Sequence, residues 1–199
     1  ISGNAAVQFR DEDVLHDEDV AHFDIADADI TRNDGYYLKS YSADGDVALR
    51  LVRSHIHFAD WSADKAKTEA LLSEPSVHLV TITVTESGYY TDPNGNLNAA
   101  DPTMKAEIAG GTPQSVYGYL RAGLSQRVAA TGAPLTIACC DNIRQNGKML
   151  RRNLLTYLTA CGDQDLADWV GKNVVFPCSV VDRITPRSPA ELGPELSSL

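Results

Sequence analysis

The stretch that decides how the chain folds is Pro134-Leu-Thr-Ile-Ala-Cys-Cys-Asp-Asn-Ile-Arg-Gln-Asn-Gly147. Its first half, Leu135 to Cys140, is apolar and contains β-branched residues, which predicts a buried strand. Polar residues follow at once, beginning with Asp141 and Asn142, and a long helical pattern starts after them. A buried strand, a polar tip and a helix form the βα unit of an open parallel sheet. In such sheets, ligands bind at the carboxyl ends of the strands.

Composition indicates a soluble globular protein. The chain has 199 residues, 43% of them hydrophobic and 22% charged, which is enough for one sizeable core. No apolar run approaches the roughly 18 residues that a membrane span needs. The N-terminus lacks the pattern of a signal peptide, and it also lacks a starting Met. We therefore expect a cytoplasmic protein without a membrane partner, whose sequence is a fragment or a processed chain.

The net charge of −10 is concentrated near the N-terminus, where residues 11–34 hold ten acidic residues and one Arg. Residues 1–34 are therefore predicted to be an acidic irregular segment, because blocks of like charge repel one another. An acidic chain does not suit a polyanion, so a nucleic-acid partner is excluded. The four cysteines form no CxxC pair, and we expect them to be reduced core residues and the protein to have no metal site.

Residues 35–186 carry an alternating pattern of strands and helices. Gly35–Tyr41 and Val47–Arg53 predict a hairpin around Asp44-Gly45, with the second strand continuing towards Ile56. A first helix should follow with Ser62 as its N-cap. The near-continuous β-branched run Val77–Val84 predicts a strand buried on both faces.

The second half of this region predicts further helices and one more strand. Thr112 and Pro113 should begin a helix that buries Val116, Leu120, Leu124 and Val128. Two helical patterns follow Gly147, and Val174-Val-Phe-Pro177 predicts the last strand. Residues 187–199 are rich in Pro, Ser and Glu and are predicted to be a linker or tail.

Three of the predicted strands lead to polar groups, namely Thr85-Glu86, Asp141-Asn142 and Asp182-Arg183. Because helices connect these strands, the strands should be parallel and their ends should share one edge of the sheet. Such an edge suits a polyhydroxylated ligand. Asn142 can both donate and accept, so it could hold a carbonyl oxygen as charge develops there. Glu86 could relay a proton, whereas Asp182 beside Arg183 is either part of the site or a structural ion pair.

Three motifs resemble those of the mannitol dehydrogenase family, the polyol-specific long-chain dehydrogenases. Val174-Val-Phe-Pro-Cys-Ser-Val-Val-Asp-Arg-Ile-Thr-Pro186 is similar to the family signature. Thr83-Val-Thr-Glu-Ser-Gly-Tyr-Tyr90 resembles its Thr-Glu-x-Gly-Tyr motif, and Cys140-Asp-Asn-Ile-Arg-Gln-Asn-Gly147 resembles its Cys-Asp-Asn-x-x-x-Asn-Gly motif. Within the family, the chain is most similar to the members that oxidise D-arabinitol.

The resemblance implies a Rossmann-type α/β domain over residues 35–186, a parallel sheet with flanking helices. It implies NAD-dependent oxidation, without zinc, of a polyol of the D-arabinitol or mannitol type to a ketose. By motif position, Asn142 corresponds to the amide that helps to hold the reacting oxygen, and Glu86 to a carboxylate implicated in proton exchange with solvent. Asp182 corresponds to the aspartate of the signature. Thr85 and Asn142 fall where the family contacts its cofactor.

Two parts of the family pattern are not found in this sequence. The first strand with its Gly-x-Gly phosphate-binding turn is missing, and the chain ends before the Lys-x4-Asn-x2-His motif of the helical C-terminal domain. The expectation is therefore an internal piece, inactive alone, whose partner is that C-terminal domain. A hexuronate reductase of the same family, or a non-catalytic binding module if the chain is complete, remain as alternatives. The choice of polyol, NAD against NADP, and the oligomeric state stay open.

Overall fold

The structure, a computed structural model, describes residues 5–9, 36–41, 47–53 and 55–181. By its internal contacts the chain divides into two compact units. The first comprises residues 1–77 and 119–132, and the second comprises residues 78–118 and 133–199. Most of the predicted acidic segment and the whole predicted tail lie outside the described residues.

The first unit contains two antiparallel strand pairs. β1 (Ala5–Phe9) pairs with β4 (His55–Asp60), and β2 (Tyr36–Tyr41) pairs with β3 (Val47–Val52). The β2–β3 pair confirms the predicted hairpin. The strand expected to continue towards Ile56 is instead two strands, because β3 and β4 pair with different partners. β1 also shows that part of the segment expected to be irregular is extended.

The helix that follows β4, α1 (Lys65–Ala70), starts later than the sequence predicts. Ser62 is not its N-cap, because Ser62 donates its backbone N–H and its hydroxyl to the carboxylate of Asp60. The cap is Asp64, whose side chain accepts from the N–H of Lys67 at 3.0 Å. A single 3₁₀ turn, Leu71–Ser73, continues α1.

The second unit is built on a parallel sheet of three strands in the order β5 (Leu79–Ile82), β6 (Leu135–Cys139) and β7 (Val174–Val175). The pairing confirms that these strands run parallel, so their carboxyl ends lie at one edge. β6 is central and buries Leu135, Ile137 and Cys139. β5 is not buried on both faces, since Leu79 is 57% exposed. Within the described part of this sheet β5 is an edge strand, which accounts for that exposure.

The remaining helices, in chain order, are α2 (Pro102–Ile108), α3 (Val116–Ala130), α4 (Asn146–Ala160) and α5 (Gln164–Asn173). Residues 119–130 of α3 belong to the first unit, and the other three helices belong to the second. The two helices predicted after Gly147 are thereby confirmed. α2 is partly buried, and its Met104 side chain is inaccessible to solvent. In α3, Val116, Leu120 and Leu124 are buried as expected, but Val128 is 38% exposed. No helix in the described ranges is long and apolar enough to span a membrane.

α3 begins at Val116 and not at Thr112, and the buried carboxylate of Glu107 explains the difference. Glu107 accepts from the backbone N–H groups of Gln114 (2.6 Å) and Ser115 (2.8 Å), and from the hydroxyls of Ser115 and Tyr157. These bonds hold residues 114 and 115 outside the helix. Ser115 becomes the N-cap, since its hydroxyl oxygen accepts from the N–H of Gly118 at 3.1 Å.

Candidate active site

The carboxyl edge of the parallel sheet borders a crevice of about 270 Å³. Its lining comes from the loop after β5, from the segment between β6 and α4, and from the first turn of α4: Glu86, Thr91, Gly95, Asn142, Ile143, Arg144 and Met149. Glu86 and Asn142 therefore share one crevice although they lie 56 positions apart in the sequence. This is the convergence that the strand-tip argument predicts.

The loop after β5 contains unusual backbone geometry. Thr85 has φ 64° and ψ 163°, a region that residues with a Cβ rarely adopt and β-branched residues avoid. Holding a non-Gly residue there costs on the order of 1–3 kcal/mol. A 3₁₀ turn, Glu86–Tyr89, follows, and it ends at Tyr90, which is left-handed with φ 46°. Two strained residues therefore bracket Glu86, and the Glu86 side chain is exposed to solvent.

Asp141, at the tip of β6, fixes this loop. Its carboxylate accepts from the N–H groups of Val84 and Thr85, each at 3.0 Å, and from the hydroxyl of Tyr89. Asp141 is 7% exposed and Tyr89 is fully buried. The two polar residues at the tip of β6 therefore face different surroundings. Asp141 points to the neighbouring loop, whereas the next residue, Asn142, is exposed and lines the crevice.

Asn146 anchors the other side of the same tip. Its side-chain amide donates to the backbone oxygens of Cys139 (3.0 Å) and Asp141 (3.2 Å) and to the hydroxyl of Ser179 (2.8 Å). Its carbonyl oxygen accepts from the N–H of Ser179 at 3.0 Å. The segment after β7 is thus tied to the end of β6 through this buried amide and through the Ser179 hydroxyl, which donates to the backbone oxygen of Cys139 at 2.6 Å.

A steric constraint explains why glycine follows Asn146. A Cβ at Gly147 would lie 2.2 Å from the carbonyl oxygen of Pro177, so the first turn of α4 lies directly against that backbone. The motif residues Asn146 and Gly147 therefore serve packing, while Asn142 is free to face the crevice.

Arg144 is a crevice residue that sequence reasoning did not select. Its side chain is exposed, and it adds a positive charge beside Asn142 and opposite in sign to Glu86. Gln145, which follows it, is left-handed with φ 55°. The signal available in the sequence was only its place in the polar tip, between Asn142 and the start of the helical pattern.

Burial determines the protonation of the groups beneath the crevice. Burial raises the pKa of the Tyr89 hydroxyl, and its hydrogen bond to Asp141 raises that pKa further, so Tyr89 is a neutral donor. Burial also raises the pKa of the Cys140 thiol, with Cys139 and Asp141 as smaller contributors. Cys140 is therefore a protonated thiol and not an activated nucleophile. None of the four cysteines is in a disulfide, but only Cys139 is buried, so the expectation of four core cysteines is wrong.

The other predicted site residues have different outcomes. Thr85 is exposed and precedes Glu86 directly, but it is not among the residues that line the crevice. Asp182 lies outside the described residues, so its role stays a prediction. In the part of the chain that the structure describes, no group of three His, Cys, Asp or Glu side chains is close enough to hold a metal ion.

Comparison with known proteins identifies the family. The profile of the mannitol dehydrogenase Rossmann domain matches residues 13–197. The chain belongs to the mannitol dehydrogenase family. Among relatives in this family, it is 38% identical over 156 residues to mannitol 2-dehydrogenase of Pyrenophora tritici-repentis, covering 77% of this chain and 27% of the relative. It is 37% identical over 152 residues to D-arabinitol 4-dehydrogenase of Ralstonia nicotianae, covering 76% and 32%.

Solved structures agree with the family assignment and with the Rossmann fold. The mannitol 2-dehydrogenase of Pseudomonas fluorescens, a ternary complex with NAD and D-mannitol, matches with a TM-score of 0.68 and 29% identity. That match covers 87% of this chain and 37% of that structure. The chain spans about a quarter to a third of the length of the curated relatives named above.

Proposed function

We propose that this chain is part of an NAD-dependent polyol dehydrogenase that oxidises a sugar alcohol of the D-arabinitol or mannitol type to a ketose. The observation that supports the proposal is the meeting of Asn142 and Glu86 in one crevice at the carboxyl edge of a Rossmann sheet. A ligand site at that edge follows from the topology of open parallel sheets. The family membership supplies the reaction class, and both curated relatives named above are polyol dehydrogenases by name.

The described residues fit one end of a dinucleotide. Asn142 lines the crevice and Thr85 is exposed directly before Glu86, and polar groups of these two kinds suit a carboxamide such as that of nicotinamide. No Gly-x-Gly turn between a strand and a helix, which would hold the pyrophosphate, occurs in the ranges that the structure describes. We therefore assign this part of the chain to the nicotinamide and the reacting carbon. When bound, NAD would accept the hydride.

Asn142 is proposed to hold the reacting oxygen. Its amide can donate to that oxygen as the alcohol becomes a carbonyl, and it is positioned by an anchored strand tip, which limits reorganisation during the reaction. Glu86 is exposed and bracketed by strained backbone, so its carboxylate can exchange protons between the crevice and solvent.

The base that first takes the alcohol proton is proposed to come from another part of the enzyme. Glu86 and Arg144 are the two ionisable side chains among the described lining residues, and an Arg side chain does not give up its proton in proteins. The resemblance places the family's catalytic Lys on a helical C-terminal domain, which would close the crevice from the other side. Asp182 is proposed to support the site from the signature segment.

The relatives favour a polyol over the hexuronate alternative, since mannitol and D-arabinitol are the substrates in their names. We propose that the enzyme is cytoplasmic, since none of its four cysteines is in a disulfide and cytosolic proteins keep their thiols reduced.

The test uses the full-length protein that contains this chain. NADH formation with NAD and D-arabinitol or D-mannitol should be readily detected, and Asn142→Ala should lower kcat by roughly a hundredfold with little change in the affinity for NAD. Asn94→Ala is the matched control, because Asn94 is exposed on a loop and its side chain does not line the crevice. Absence of turnover with both polyols, or equal losses in the two variants, would refute the proposal.

A second assay uses the 199 residues alone. If the base lies elsewhere in the enzyme, this chain with NAD and D-arabinitol should produce no NADH. Appreciable turnover would show that the described crevice, or a segment of this chain, contains the base.

A further inference from the structure

The loop that carries Glu86 cannot hold its shape by local preference. Thr85 is β-branched and lies at φ 64°, ψ 163°, where a Cβ is disfavoured. Released from other contacts, residues 84–86 would relax to ordinary extended geometry and turn the Glu86 side chain to a new direction. Some neighbouring group must therefore hold the strained conformation.

The carboxylate of Asp141 is that group. One of its oxygens accepts from the N–H of Thr85 and the other from the N–H of Val84, so the two bonds fix consecutive peptide planes. Tyr89, at the far end of the 3₁₀ turn, donates to the same carboxylate, and Tyr117 in turn donates its hydroxyl to the backbone oxygen of Tyr89 at 3.0 Å. The carboxylate thus holds both ends of the turn that contains Glu86.

Asp141 is also the residue next to Asn142. The same short segment therefore presents the amide that faces the crevice and the carboxylate that fixes the opposite wall. A shift at the tip of β6 would therefore move Asn142 directly and Glu86 through the bonds of Asp141 to the loop.

We infer that Asp141 is a positioning residue for the reaction, which sets Glu86 against Asn142 by holding Thr85 in its strained conformation. The inference rests on the proposed function. It predicts that Asp141→Asn leaves a folded enzyme with a misplaced crevice wall, because each carboxylate oxygen accepts one backbone N–H and the new amide donor therefore meets the N–H of Val84 or of Thr85. Displacements of about 1 Å in an active site can lower the rate by roughly a hundredfold.

The chain offers a matched control at Glu107. This carboxylate is buried like that of Asp141, and it also accepts from two consecutive backbone N–H groups and one buried Tyr hydroxyl, but it does not line the crevice. In the full-length enzyme, Asp141→Asn and Glu107→Gln should both lower the thermal midpoint. Only Asp141→Asn should lower kcat per folded molecule by roughly a hundredfold and flatten the dependence of kcat on pH.

Tyr89→Phe and Tyr157→Phe form a milder pair for the case in which the amide variants do not fold. Tyr89→Phe should lower kcat several-fold, whereas Tyr157→Phe should leave kcat unchanged. Equal kcat losses within each pair, or a normal kcat for the Asp141→Asn and Tyr89→Phe enzymes, would overturn the inference.

Amide hydrogen exchange separates this inference from the proposed function. Asp141→Asn should increase exchange across residues 84–90 and Glu107→Gln should increase it at residues 114 and 115, whether or not the wild-type protein oxidises a polyol. Unchanged exchange at residues 84–90 would overturn the positioning role itself. A wild-type protein without polyol turnover, but with the expected exchange pattern, would refute the proposed function alone.

Discussion

The second unit contains two buried carboxylates with nearly the same set of partners. Asp141 accepts from the N–H groups of residues 84 and 85 and from the hydroxyl of Tyr89. Glu107 accepts from the N–H groups of residues 114 and 115 and from the hydroxyl of Tyr157, with the Ser115 hydroxyl in addition. Both carboxylates thus join a loop backbone to an aromatic residue of the core.

The two sites differ in what they hold. Glu107 fixes the start of α3, where neither Gln114 nor Ser115 has a positive φ. Asp141 fixes Thr85, which is strained, beside a crevice that Glu86 and Asn142 line. The same interaction therefore stabilises an ordinary conformation in one place and enforces an unfavourable one in the other. Strain that is maintained beside a crevice indicates a functional requirement, since stability alone would favour its release.

Alkaline pH should produce the largest effect, because it disrupts both sites together. The pKa values of Tyr89 and Tyr157 are raised by burial and by their carboxylate partners, so each Tyr is neutral in the folded state. Their contribution to stability is complete below the unfolded pKa of about 10 and is lost as the pH rises above that value. The free energy of unfolding, measured by denaturant titration, should fall steeply above pH about 10. The double variant Tyr89→Phe, Tyr157→Phe should reduce this dependence, and an unchanged slope would contradict the assignment.

Removing the charge of one carboxylate should have the next largest effect. Glu107→Gln should lower the free energy of unfolding by about 3 kcal/mol, because buried donors lose their acceptor. Asp141→Asn should cost about 1 kcal/mol less, since relaxation of Thr85 offsets part of the loss. Chemical denaturation followed by tryptophan fluorescence measures both. A larger loss for Asp141→Asn than for Glu107→Gln would argue against strain at Thr85.

Removing a single hydroxyl should give a smaller and more equal loss. Tyr89→Phe and Tyr157→Phe should each lower the free energy of unfolding by about 1 kcal/mol, the net value of one buried hydrogen bond. We therefore expect similar losses of stability for the two variants, whereas kcat should fall only for Tyr89→Phe. A difference well above 1 kcal/mol between the two variants would show that the sites are not equivalent in packing.

Relieving the strain at Thr85 directly should stabilise the protein, in contrast to the losses expected for the other variants. Thr85→Gly should raise the free energy of unfolding by about 1 kcal/mol, since glycine tolerates this φ and the gain exceeds its entropic cost. The same variant should lower kcat, because the loop that carries Glu86 loses rigidity. Gln114→Gly, at the unstrained site, should be destabilising. A destabilised Thr85→Gly protein would refute the strain argument.

Arg144→Ala should have the smallest effect on stability, within about 0.5 kcal/mol, because Arg144 is exposed and belongs to neither carboxylate site. With a neutral polyol we expect kcat/KM to change by less than about threefold, since Arg144 would have no charged group to bind. A tested hexuronate that is turned over by the wild-type enzyme, but not by Arg144→Ala, would reopen the alternative of a uronate reductase.

The sequence pattern predicted much of the fold and the position of the crevice. The apolar run at Leu135 predicted the central strand, and the polar residues after it predicted the crevice that Asn142 and Glu86 line. The helix starts were less accurate: Ser62 and Thr112 satisfy a local capping rule, but Asp64 and Ser115 are the residues used. A cap depends on which backbone N–H groups are still available after distant side chains have bonded, and the sequence does not reveal that.

Sequence alone also could not separate the roles of neighbouring polar residues. Asp141 and Asn142 look equivalent as a strand tip, yet one is buried against the loop after β5 and the other faces the crevice. Arg144 was overlooked for the same reason, because exposure on a particular side of a turn follows from backbone direction.

The opening stretch, by its pattern of apolar and polar residues, determined a βα unit with a polar tip, because the local sequence sets the burial of the strand and the start of the helix after it. The family motifs determined which reaction to propose. The tertiary structure alone decided that Asp141 holds Thr85 in a strained conformation. That contact joins residues 56 positions apart, and the free energy that maintains the strain comes from burial and hydrogen bonds that exist only once both strands are in place.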